Sequence, residues 1–121
     1  MRSSLRLALL VALVVGGAAC HRFDRDGDVT ITSEELAPLG GGCLVRGTAR
    51  NDSDHRVRVF ILWRAFDRDD DRIGTAEVEI PDLPRDGTRS FESTRFRERD
   101  DDLIPCNRIA RIRRSTSVFR D

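Results

Sequence analysis

Ten residues, Val57 to Phe66, constrain the fold more than any other stretch. Val57, Val59, Ile61, Trp63 and Ala65 recur at every second position. Period two puts all five on one face of a β-strand, whereas a helix would scatter them around its surface. Between them lie Arg58, Phe60, Leu62, Arg64 and Phe66, a mixed face whose apolar members suit a central strand covered on both sides. Shorter β-prone runs surround it: Val29 to Thr32, closed by Pro38 and Gly40-Gly41-Gly42; Cys43 to Asn51; Arg72 to Ile80; Thr88 to Phe96; and Asn107 to Phe119. Polar breakers divide them at Asn51 to Asp54, Asp67 to Asp71, Pro81 to Gly87 and Arg97 to Asp102. No segment holds a long helical period. The expectation is an all-β sandwich of about six to seven strands.

The chain begins differently. Arg2 and Arg6 lead into the apolar run Leu7 to Val15, followed by Gly16-Gly17-Ala18-Ala19-Cys20. A basic start, an apolar stretch and small residues form the order of a secretory signal. The run falls short of the about 20 apolar residues that a spanning helix needs. Small residues directly before a cysteine resemble the lipobox of bacterial lipoproteins, with Gly17 where Leu is usual. That resemblance implies cleavage after residue 19 and lipidation of Cys20. The organisation that follows is a signal peptide over 1–19, a lipidated cysteine and acidic tether over 20–28, and the sandwich over 29–121. By the sorting rule of enteric bacteria, His21 after the cysteine favours the outer membrane, on its periplasmic face, over the inner membrane.

Charge excludes one class of partner. The chain carries 21 basic and 21 acidic residues, and losing Arg2 and Arg6 leaves the remainder at −2. Nucleic-acid binders show a basic excess instead. Every basic side chain besides two histidines is arginine. With Cys20 assigned to lipid, Cys43 and Cys106 have one intramolecular pairing, and the oxidising space beyond the inner membrane lets that bond persist. Closing a loop of about 64 residues stabilises a fold by roughly 4 kcal/mol in the chain-entropy model.

Signatures of catalysis are missing from the sequence. No serine stands in a nucleophile elbow, and Gly40 to Gly42 precedes cysteine rather than the Lys-Ser/Thr of a phosphate loop. His21 and His55 sit in polar contexts, and neither lies at ligand spacing from a cysteine pair. A non-catalytic module is therefore expected.

Several short motifs resemble the FxLYD family of bacterial envelope domains. Gly47-Thr48-Ala49-Arg50-Asn51 follows the family's glycine-to-asparagine pattern. Trp63-Arg64-Ala65-Phe66-Asp67 occupies the naming motif, keeping only its Asp, and Ile73-Gly74 follows the turn. Asp82 to Gly87, followed by Phe91, resembles a later segment of the family. The likeness spans about Val29 to Phe119. It implies an immunoglobulin-like β-sandwich and no enzyme activity, acting as an interaction or structural module with an envelope protein as partner.

A second resemblance concerns the acidic tether. Asp24 to Glu35 is similar to the twelve-residue EF-hand calcium loop, with Asp24, Asp26 and Asp28 at positions 1, 3 and 5. Thr30 would offer its carbonyl at 7, and Glu35 would be the bidentate ligand at 12. Val29 stands where the loop's sharp turn calls for glycine. The same residues also read as a plain tether running into the first strand, and the two readings exclude each other over Val29 to Thr32. Calcium is thus the one cofactor the sequence raises. Asp67 to Asp71 and Asp100 to Asp102 read as hairpin tips. Arg108, Arg111, Arg113, Arg114 and Arg120 make the last strand basic, either to meet anionic phosphates or to blunt an exposed edge.

Overall fold

The computed structural model describes residues 28–120. Six strands form two antiparallel three-stranded sheets: β1 (Val29–Leu39), β2 (Gly42–Asn51), β3 (Val57–Phe66), β4 (Arg72–Leu83), β5 (Thr88–Glu92) and β6 (Arg111–Arg120). The first sheet runs β1-β2-β5 and the second β4-β3-β6. The molecule is an all-β sandwich, as the alternating pattern leads one to expect. Each sheet starts as a hairpin, and β5 and β6 then join β2 and β3, which become the central strands.

The core follows from period two. Val57, Val59, Ile61, Trp63 and Ala65 are fully buried. They face Cys43, Val45 and Ala49 of β2, with Phe91, Ile80 and Leu83 completing the cluster. The Trp63 and Phe91 rings lie 5.6 Å apart between the sheets. Pairing Gly47 with Phe91 leaves no room for a side chain at 47, where a Cβ would come 2.1 Å from the Ser33 carbonyl oxygen.

Strand β4 runs on through Pro81 to Leu83, past the expected Ile80, and three other strand boundaries differ from the sequence expectation. Strand β1 continues through Pro38 to Leu39, because Gly40 and Gly41, at φ 58° and 82°, close a two-residue hairpin onto Gly42. Proline is tolerated there because β1 is an edge strand. Strand β5 stops at Glu92, since residues 93–97 leave it to brace both sheets. Phe96 N–H donates to the Cys43 carbonyl, while Thr75 and Arg97 exchange backbone hydrogen bonds at 3.2 and 3.1 Å. Phe96 and Ile104 from this crossover are fully buried. The third difference is at Cys106–Arg108, a 3-10 turn that delays β6 to Arg111.

Candidate functional site

Of the residues singled out in the sequence, Cys20, Asp24 and Asp26 lie outside the described residues. Asp28 directly precedes β1, and its carbonyl accepts from Asp52 N–H at 2.7 Å. Thr30 and Glu35 lie on β1, opposite Arg50 and Arg46. Five positions of extended backbone separate them by roughly 16 Å, too far for one ion. The strand and a calcium loop exclude one another over Val29 to Thr32, and in this structure the strand holds that segment and continues past Glu35. Thr30 Oγ1 instead donates to Asp52 at 2.5 Å, and Arg50 Nε donates to the same carboxylate at 2.6 Å. The Arg50 hydrogen bond, aided by the one from Thr30, holds the Asp52 carboxyl below its ordinary pKa against a smaller upward push from burial. The Asp54 carboxyl is lowered too, chiefly by its hydrogen bond with His55.

Cys43 and Cys106 form a disulfide, with their Cα atoms 4.8 Å apart. It fastens the start of β2, in the first sheet, to the segment that feeds β6 in the second. Asn51 is a comparable brace. Although fully buried, its amide fills four hydrogen bonds: donation to the His55 and Leu83 carbonyls, and acceptance from Ser53 N–H and Oγ. The Gly47 to Asn51 motif is thus a set of packing and turn residues. Asp67 plays a similar part, its carboxylate accepting from the N–H groups of Asp69 and Asp71.

The two acidic tips share one turn geometry. In each, the first N–H donates to the fifth carbonyl and the fourth N–H returns to the first, over Asp67–Asp71 and Glu98–Asp102. The fourth residue, Asp70 or Asp101, adopts φ near 70°. Aspartate accepts that left-handed conformation better than most residues. Turn formation therefore accounts for both clusters. Glu98, Asp100 and Asp102 bring carboxylate oxygens within 4.8 Å of one another, and Arg108 meets Glu98 at 3.2 Å.

The outer face of the second sheet has a different character. Phe60, Leu62 and Phe66 project from β3 and are half-buried. In register, Phe60 faces Ser117, Leu62 faces Ser115, Arg64 faces Arg113 and Phe66 faces Arg111 on β6. The Arg111 guanidinium stacks 4.3 Å over the Phe66 ring, with Arg113 at 5.7 Å, and Arg58 covers Phe119 at 4.8 Å. Arginine is favoured for such stacking because its planar cation is weakly hydrated. Arg111 also pairs with Asp70 at 2.5 Å and Arg58 with Glu79 at 3.7 Å. Arg64 and Arg113 have no ion-pair partner among the described residues; Arg64 meets only the Ser115 hydroxyl, at 3.3 Å.

Strand β6 borders this face. It pairs with β3 along ten uninterrupted rungs, from Val57–Arg120 to Phe66–Arg111, and its other edge pairs with no strand among the described residues. The remaining borders are interrupted or occupied. Strand β1 carries a bulge between Ile31 and Ser33 and contains Pro38. The far side of β4 is met by Thr94, whose N–H reaches the Glu77 carbonyl at 2.9 Å. Strand β5 has only five residues.

A groove of about 630 Å³ lies on the first sheet, bordered by Ser33, Glu35, Arg46, Thr48, Ser90 and Glu92. Its one arginine, Arg46, is held by Glu92 at 3.0 Å. Glu34, at its rim, accepts from Trp63 Nε1 at 2.5 Å and from Arg114 at 3.0 Å, tying β1 to the second sheet. Sequence reasoning missed this link, since the β1 bulge shifts which residues face inward. Among the described residues, no helix is long and apolar enough to cross a membrane. Compared with protein-family models, curated proteins and solved structures, the chain matches none.

Proposed function

We propose that this chain is a lipid-anchored bacterial envelope protein whose sandwich works as a non-catalytic interaction module. The observation that carries the reading is the second sheet. A regular ten-residue edge, unpaired among the described residues, adjoins an outer face where arginines stack on half-buried Phe66 and exposed Phe119. A sheet that served only to enclose a core gains little from leaving Phe60, Leu62, Phe66 and Phe119 on its outer side.

Three further features support the envelope setting. The signal-like segment ends at Cys20, where lipid would attach. The Cys43–Cys106 bond suits an oxidising compartment. The motifs similar to those of FxLYD domains serve packing and turns, as a binding scaffold requires. His21 directs the proposal to the periplasmic face of the outer membrane.

The test is membrane fractionation of the full chain in a Gram-negative host, with a Cys20→Ser variant beside it. The wild-type chain is expected in the outer-membrane fraction with a mass increment of a diacylglyceryl group and a fatty acyl chain. The variant should lose both. A wild-type chain that is released without lipid would overturn the anchor.

A further inference from the structure

The edge of β6 raises a question that the anchor does not answer. Unpaired strand edges invite other chains, and proteins usually blunt them with bulges, proline, short length or charge. Here β1 has the bulge and the proline, β5 is short, and β4 is bordered by the 93–97 segment. Strand β6 has ten residues, an unbroken register and no proline, and its only device is charge. It carries Arg111, Arg113, Arg114 and Arg120 and no acidic residue.

That charge is selective rather than general. Two copies of β6 side by side would bring together Arg113 and Arg120, which have no ion-pair partner among the described residues, and like charges on adjacent strands are destabilising. An acidic strand meets the opposite condition. Strand addition supplies affinity through main-chain hydrogen bonds and specificity through alternating side chains. On the outward side, the next strand would run past Arg111, Arg113, Ser115 and Ser117. On the inward side it would lie along Ile112, Thr116 and Val118, which are only partly covered. Arg113 has no carboxylate partner among the described residues and is already held against the Phe66 ring, so little ordering cost remains when one arrives.

We infer that β6 is a docking edge for an extended acidic segment of another protein, which adds as a fourth strand to the β4-β3-β6 sheet. The segment carries Asp or Glu facing Arg113, with aliphatic residues on its other side facing Ile112 and Val118. The inference deepens the interaction-module reading and rests on it, but needs no membrane.

The test uses the full chain purified in detergent and a synthetic peptide of alternating Glu and Val, about ten residues long to match a long strand. Backbone amide exchange is followed by NMR. The peptide is expected to slow exchange along β6 while β1 amides are unaffected. Arg113→Glu should weaken binding about tenfold, since it turns an attraction into a repulsion. Raising salt from about 0.05 to 0.5 M should weaken it further. A peptide N-methylated at the alternate residues whose N–H groups face β6 cannot complete the ladder and should not bind. Retained binding of that peptide would mean that the outer face, not the edge, is the site, and would overturn the inference. So would absence of binding, or protection of β6 by phosphatidylglycerol vesicles but not by peptide. In each case fractionation with Cys20→Ser still decides the anchor separately.

Discussion

The two faces of β3 show what each kind of residue does here. Val57, Val59, Ile61, Trp63 and Ala65 are fully buried and fix how the sheets pack. One residue along, Phe60, Leu62 and Phe66 keep part of their surface in water, with Arg111 and Arg113 of β6 over the Phe66 ring. Both faces are rich in apolar atoms, yet one is closed by a second sheet and the other only in part, by arginines stacked on Phe66 and Phe119. Stability resides on the first, while the second carries Arg113 beside the β6 edge proposed to dock a partner. A change to the inner face should therefore act on folding, and a change to the charge beside that edge on binding.

The largest expected effect breaks the inner face. Trp63→Ala removes the ring that meets Phe91 and the indole N–H that Glu34 accepts, and is expected to cost about 3–5 kcal/mol. Urea denaturation measures it, and a loss below about 1 kcal/mol would mean that the ring is not packed as described. Next comes the staple between the sheets. Cys106→Ser should cost about 2–4 kcal/mol through the freed loop. The same value should appear in wild type under strong reductant, and unequal values would show that the substitution itself perturbs packing.

Smaller effects sharpen the contrast. Phe66→Ala, on the outer face, should cost about 1–2 kcal/mol from partial burial and the lost stacking of Arg111. If it destabilised as much as Trp63→Ala, the distinction between the faces would collapse. Smallest is the pH response of Asp52. Its carboxyl pKa is lowered in the folded state, chiefly by Arg50. That contribution is present above the ordinary carboxylate pKa of about 3.9 and fades as pH falls through the lower folded value. The gap between wild type and Asp52→Asn should therefore narrow from pH 5 to pH 2, and a widening gap would contradict the assigned direction.

How much of this was legible in the sequence differs between the faces as well. The inner face was read directly, because burial imposes strict alternation from Val57 to Ala65. The Asp-rich turns were also visible, since Asp67 and its neighbours match turn chemistry. Boundaries slipped where tertiary contacts outweigh local pattern. Thr94 and Phe96 continue a strand-like sequence but leave the sheet to bond with β4 and β2. The arginines of the last strand were evident, but their stacking on Phe66 was not, because it depends on the register of β6 against β3. Glu34 escaped notice for a related reason: the bulge at Ile31 to Ser33 reverses the inside and outside of β1.

The most direct test of the central claim is site-specific photo-crosslinking in the living envelope. A photoreactive phenylalanine analogue replaces Phe119 on β6 in one strain and Ser90 on β5 of the other sheet in another. The account predicts a discrete, dominant adduct from position 119 and none from 90, lost when Arg113→Glu is added. Equal labelling from both positions, or an adduct indifferent to Arg113→Glu, would contradict it.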